Sequence, residues 1–178
     1  MKEFDKVLIS ESEIEQKVLE LSKQLTNDYM GLNPLFVCIL KGSVFFAADL
    51  LRNIKTPAQI DFMSVSSYGS GSQSSGKLNI KKDLSVDIKD KHVIIIEDII
   101  DSGNTLHALK ELLISRGPKS VKICTLLDKP DRRVKEVEVE YVGFTIPDEF
   151  VVGYGLDYAE DYRTLPDVRV LSREVYEK

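Results

Sequence analysis

The side chains best suited to chemistry stand together in Glu97-Asp98-Ile99-Ile100-Asp101-Ser102-Gly103-Asn104-Thr105, where three carboxylates run into a turn of small residues. The β-branched run before them, Val93-Ile94-Ile95-Ile96, reads as a buried strand. Beyond Thr105, the residues Leu106, Leu109, Leu112 and Leu113 recur at helical spacing until Gly117-Pro118, a glycine stop followed by a residue that cannot continue the helix. The acids are therefore expected where a strand hands over to a helix. A helix start offers unpaired N–H groups and the positive end of the macrodipole, so Ser102 to Thr105 reads as a phosphate cradle. Gly103 admits close backbone approach there, and the hydroxyls of Ser102 and Thr105 add donors. Glu97 and Asp98 would repel a bare phosphate, so their position implies a ligand that also brings hydroxyl groups or a magnesium ion. Taken alone, a bare acid-rich turn is better read as a helix capped by Asp101 or Ser102 with solvated acids around it.

The elements that must hold these groups alternate. Ser10-x-x-Glu13 followed by Ile14, Val18, Leu21 and Leu25 predicts a capped amphipathic helix. Leu35 to Leu40 reads as a short strand, Lys41-Gly42-Ser43 as a turn and Val44 to Leu51 as the start of a second helix. Ile60 to Val65 and Val121 to Leu127 read as further strands. Strands alternating with helices predict an α/β fold, a mostly parallel sheet flanked by helices with ligands at the strands' carboxyl ends. At such an end, the amides of the Lys41-Gly42 turn and the Lys41 ammonium suit a second anion site.

Between Ser66 and Gly76 lies the one low-complexity segment, Ser-Ser-Tyr-Gly-Ser-Gly-Ser-Gln-Ser-Ser-Gly. It buries no apolar area, and its place between the Ile60 strand and a strand near Lys77 to Ile80 predicts a long, mobile hairpin loop. The last third departs from alternation. Val137 to Phe144 is strand-like, and with Phe150 to Arg163 it is expected to form a small C-terminal hood. The organisation expected is one domain over 1–178, with a core of about 1–130, a flexible lid loop over 66–79 and a hood of about 131–178.

Composition frames this reading. The chain has 178 residues, 43% of them apolar, enough for one proper core. Twenty-four basic residues against 29 acidic ones argue against binding nucleic acid through its phosphates. Cys38 and Cys124 each sit in an apolar run and read as buried thiols. His92 and His107 lack metal-ligand spacing and read as structural. The first residues are acidic with no apolar leader, and no window is long enough to span a membrane, so a cytoplasmic protein is expected. No Gly-x-x-x-x-Gly-Lys-Ser/Thr occurs, which excludes a P-loop.

The acidic string resembles the motif by which type I phosphoribosyltransferases bind 5-phosphoribosyl-1-pyrophosphate (PRPP), and the likeness runs from Leu40-Lys41-Gly42-Ser43 to Arg163. Asp101, in the third acidic position, places it with the 6-oxopurine branch. The resemblance implies Mg2+-dependent transfer of 5-phosphoribosyl to N9 of hypoxanthine or guanine, with Asp101 as the catalytic base. PRPP would lie on Glu97, Asp98, Asp101, Ser102, Gly103, Asn104, Thr105, Lys41, Gly42 and Arg163. Ser67 and Tyr68 would belong to a lid touching the pyrophosphate; Lys129, Phe150, Val151 and Asp157 would line the purine site; and Glu97, Asp98 and Asp157 would hold the metal. The resemblance also implies a homodimer or homotetramer. Read without it, Lys129 is an ordinary exposed lysine and Phe150 an ordinary core aromatic. Two positions depart from common members: the turn is Lys-Gly-Ser where some relatives have a second glycine, and Asn104 replaces a basic residue beside the 5′-phosphate. A nucleotide-sensing RNA-binding regulator on the same fold would need a basic face, whereas Lys81-Lys82, Arg132-Arg133 and Lys135 are scattered and offset by acids. An enzyme of the same kind acting on xanthine or a pyrimidine would differ only in the hood.

Overall fold

The structure is a computed structural model that describes residues 2–67 and 77–177. Tyr68, assigned to the lid, lies outside the described residues. Six strands form the main sheet, in the order β4-β3-β2-β5-β6-β7. These are β2 (Leu35–Ile39), β3 (Gln59–Ser67), β4 (Leu78–Lys82), β5 (His92–Ile100), β6 (Ser120–Asp128) and β7 (Tyr141–Thr145). All neighbours run parallel except β3 and β4, which pair antiparallel with Ser67 opposite Leu78.

Alternation within the strands builds a core on each face of this sheet. Ile94 and Ile96 point to the side of α1 (Glu11–Asp28) and α2 (Val44–Arg52), while Val93 and Ile95 point to the side of α3 (Asn104–Ser115). The start of α1 is fixed by Ser10, whose hydroxyl accepts from the Glu13 amide while Glu13 accepts from the Ser10 amide. Ile14, Val18, Leu21 and Leu25 are then its buried stripe. Both cysteines are buried, and burial pushes the Cys38 thiol up to about 12. No helix among the described residues is long and apolar enough to cross a membrane.

The order of connection decides where a ligand can bind. From β2 the chain passes through α2 to β3 on one side; from β5 it passes through α3 to β6 on the other. Adjacent strands β2 and β5 therefore send their following segments in opposite directions, which opens a crevice at their carboxyl ends. The Lys41 turn leaves β2 at that crevice, and the acidic string leaves β5.

Three expectations are revised. The strand bearing the acids continues to Ile100, because β6 offers partners as far as Asp128, so Glu97 and Asp98 lie inside β5 rather than beyond it. Val137 to Phe144 does not enter a hood: Tyr141–Thr145 is the edge strand of the main sheet, where Gly143 lies so close to the Leu126 carbonyl that a Cβ would come within 2.5 Å. The second sheet is instead β1-β9-β8, made from β8 (Val151–Val152), β9 (Val168–Leu171) and the N-terminal strand β1 (Phe4–Ile9), which had been placed in the core.

Candidate active site

Gly103 is the N-cap of α3, with φ of +83°; of the two capping candidates, Ser102 meets the first turn with its side chain and Asp101 does not. That left-handed residue turns the chain sharply at the end of β5, so the first amides of α3 face the crevice. A hollow of about 230 Å3 follows the string, lined by Glu97 to Gly103 with Thr105 and Leu106. Ser102 Oγ accepts from the Asn104 amide, and the Thr105 hydroxyl meets Ser67 Oγ at 2.5 Å. Ser67 thus touches the cradle rather than the Lys41 turn.

A strap after β6 holds the cradle from behind. The amides of Val134 and Lys135 both donate to the Ser102 carbonyl, and a Cβ on Gly103 would meet the Lys135 carbonyl at 2.3 Å. Arg133 pairs with Asp128 and donates from Nε to the Asp101 carbonyl at 3.2 Å. Arg132 Nε lies 3.3 Å from Asp101 Oδ1, and its Nη1 lies 3.5 Å from Asp148. The sequence showed Arg132 and Arg133 only as charges in a basic cluster; here Arg132 faces Asp101 and Asp148, and Arg133 faces Asp128. Asp101 Oδ1 is buried and accepts no aligned hydrogen bond among the described residues.

Glu97 and Asp98 form a coupled pair. Burial and the neighbouring Asp98 push the Glu97 carboxyl well above its ordinary range; burial also raises Asp98, against hydrogen bonds that favour its ionised form. Asp98 reaches the other half of the crevice, for a Cβ on Gly42 would fall 1.8 Å from its Oδ2. The Leu40–Lys41 peptide before this turn is cis. Gly155 packs on the same spot, where a Cβ would meet the Gly42 carbonyl at 2.0 Å. Gly42 is therefore the point at which the β2 turn, the β5 acids and the segment after β8 meet.

That last segment brings in Asp157 and Arg163, which lie 3.2 Å apart, and Arg163 Nη1 donates to the Gly155 carbonyl at 2.7 Å. Glu160, which the sequence reading passed over, sits between Arg163 and Lys41. On the far side, Lys129 is only 6% exposed, with Nζ 3.9 Å from Asp148, so it is not an ordinary surface lysine. Phe150 is 38% exposed and is not a core aromatic; one ring face stacks on Tyr176 at 4.8 Å. Val151 follows it in β8, opposite Val170.

The comparisons with known proteins bear on this arrangement directly. Residues 9–159 match the phosphoribosyl transferase domain family. The chain belongs to the phosphoribosyltransferases. Within them it falls in the hypoxanthine-guanine branch: it is 55% identical to the hypoxanthine-guanine phosphoribosyltransferase of Streptococcus pneumoniae, over 98% of this chain and 97% of that one. The enzyme of the same name from Bacillus subtilis is 53% identical over 98% and 97%. A crystal structure of a hypoxanthine phosphoribosyltransferase from Staphylococcus aureus superposes with a TM-score of 0.96 at 51% identity, covering 99% of this chain and 96% of that chain. This phosphoribosyltransferase therefore works in purine salvage through phosphoribosyl transfer. Among the described residues, no group of three or more His, Cys, Asp or Glu side chains converges as a ready-made metal site. Pairs of carboxylates at the crevice fit a cation held mostly by substrate oxygens and water.

Proposed function

We propose that this phosphoribosyltransferase transfers the 5-phosphoribosyl group of PRPP to N9 of hypoxanthine or guanine, giving IMP or GMP and pyrophosphate. The observation that carries the reading is the acid pair Glu97-Asp98 set between two anion-seeking ends, the Ser102 to Thr105 cradle and the cations Lys41 and Arg163. PRPP has that pattern, with a phosphate at one end of the ribose, hydroxyls in the middle and pyrophosphate at the other end. The cradle amides would take the 5′-phosphate, and Glu97 and Asp98 the ribose hydroxyls. Lys41, Arg163 and the Gly42 amide would stabilise the charge that builds on the departing pyrophosphate.

As the C1′–O bond breaks and N9 closes on C1′, the purine must lose a proton. Asp101, whose Oδ1 is buried beside Arg132, would take or share the one at N7. Lys129, held near Asp148, would donate to the purine O6; the exposed face of Phe150 would stack on the ring; and the Val151 backbone would meet its N1/C2 edge. Magnesium, held by Asp157, Glu97 and Asp98 together with the substrate, would supply further electrostatic stabilisation of the pyrophosphate. We place the protein in the cytoplasm as a homodimer or homotetramer.

Incubating the purified protein with PRPP, Mg2+ and each of hypoxanthine, guanine, xanthine, adenine and uracil tests the reading. IMP and GMP are expected. Nucleotide from adenine or uracil alone, or none at all, overturns it.

A further inference from the structure

Glu160 occupies ground that an incoming polyanion would need. Its Oε2 accepts from Lys41 Nζ at 2.6 Å, and its Oε1 accepts from Arg163 Nη2 at 3.1 Å. One carboxylate thus bridges the two cations assigned above to the pyrophosphate. Among the described residues, Lys41 Nζ has no other hydrogen-bond partner. The bridge is positioned by its own loop: the Glu160 amide donates to Asp157 Oδ2 at 2.9 Å, and Ala159 and Glu160 both adopt left-handed backbone, coiling Asp157, Glu160 and Arg163 around one point.

The bridge is a poor device for stability. The Lys41 and Glu160 side chains are 67% and 63% exposed, and exposed pairs add little because water screens them. It is a good device for holding two cations in place while remaining replaceable. A pyrophosphate brings several negative charges and can satisfy Lys41 and Arg163 together, whereas an anion with fewer charges has less with which to outbid a carboxylate already seated.

We infer that Glu160 is an internal stand-in for the leaving group, an affinity-setting carboxylate that pyrophosphate and PRPP must displace from Lys41 and Arg163 and that returns to them as pyrophosphate departs. The inference rests on the assignment of Lys41 and Arg163 to the pyrophosphate.

Calorimetric titration of wild type and Glu160→Gln with magnesium pyrophosphate tests the inference. Removing a competitor held by one exposed and one partly buried ion pair is expected to tighten pyrophosphate binding about three- to tenfold, with a smaller gain for orthophosphate. In steady state, KM for PRPP should fall while KM for hypoxanthine stays put. Equal or weaker pyrophosphate binding by the variant overturns the inference, since a residue that helps build the site would show a loss. Should that variant fail to fold, Glu160→Ser takes its place in the same titration, with the same gain expected and equal or weaker pyrophosphate binding again overturning the proposal. Wild type that binds neither PRPP nor pyrophosphate would instead sink the function proposed above.

Discussion

Asp101 and Glu97 stand a few positions apart, yet their surroundings fit them to different work. Asp101 holds its buried Oδ1 3.3 Å from Arg132 Nε, a cation that fixes the carboxylate at the end of β5, and is proposed as the proton acceptor. Asp101→Asn is expected to lower kcat by about 10² to 10⁴ while PRPP affinity changes little. Steady-state rates set beside calorimetric PRPP titration separate the two quantities, and equal losses in both would remove Asp101 from the chemistry. Glu97 is held above its ordinary range by burial and by Asp98. Because the folded state favours its proton, the stability this gives is present at acid pH and is lost as pH rises from the ordinary carboxylate range through the raised value. Glu97→Gln should therefore raise Tm near neutral pH, by roughly 2–4 °C for each 1 kcal/mol of repulsion relieved, and flatten the profile of Tm against pH. The same change should weaken PRPP binding. Thermal scans across pH 5 to 8 read the first effect, and an unchanged profile would contradict it.

At the scale of elements, the cradle depends on a turn that only glycine makes and on a strap that only the fold supplies. Gly103→Ala would place a Cβ against the Lys135 carbonyl at a left-handed position. The expected cost is about 2–3 kcal/mol, read by urea denaturation, together with a loss of PRPP affinity of at least about tenfold if the first amides of α3 hold the 5′-phosphate. Ser10→Ala, far from the crevice, is the contrast. It should cost about 1 kcal/mol through the lost α1 cap and leave kcat unchanged.

At the scale of the molecule, the purine site proposed above requires the second sheet, where Phe150 directly precedes β8, to stay fixed to the main one, where β6 ends beside Lys129. One tie is polar: the Tyr154 hydroxyl donates to Asp49 Oδ2 of α2 at 2.5 Å, in a half-buried setting that raises the Tyr154 pKa. Gly155 adds the second tie by packing on Gly42. Tyr154→Phe leaves Asp49 without its donor and should cost about 1–3 kcal/mol. The midpoint in urea should fall with the slope unchanged, and KM for hypoxanthine should rise more than KM for PRPP. A change confined to PRPP would show that the two sheets are not coupled through this residue.

The chain's local order was sufficient for some of this. Ser10 and Glu13 marked a helix start, Val93 to Ile96 a buried strand, and Ser102 to Thr105 the turn into a helix, because a cap, a β-branched run and a helix terminus depend on neighbours only a few positions away. Likeness to a known motif extended that reading to Lys41, Lys129 and Arg163, but not to Glu160 or Arg132. Those two matter only through partners that folding brings near: Lys41 meets Glu160 across 119 positions of chain, and Arg132 touches Asp101 because β6 lies beside β5. Strand partnership escaped the sequence for the same reason. Tyr141–Thr145 has a strand's pattern, Phe4–Ile9 has no clean alternation and becomes a strand only beside β9, and which sheet receives a strand is settled by the open edge it finds, a property of the assembled sheet and not of the segment that joins it.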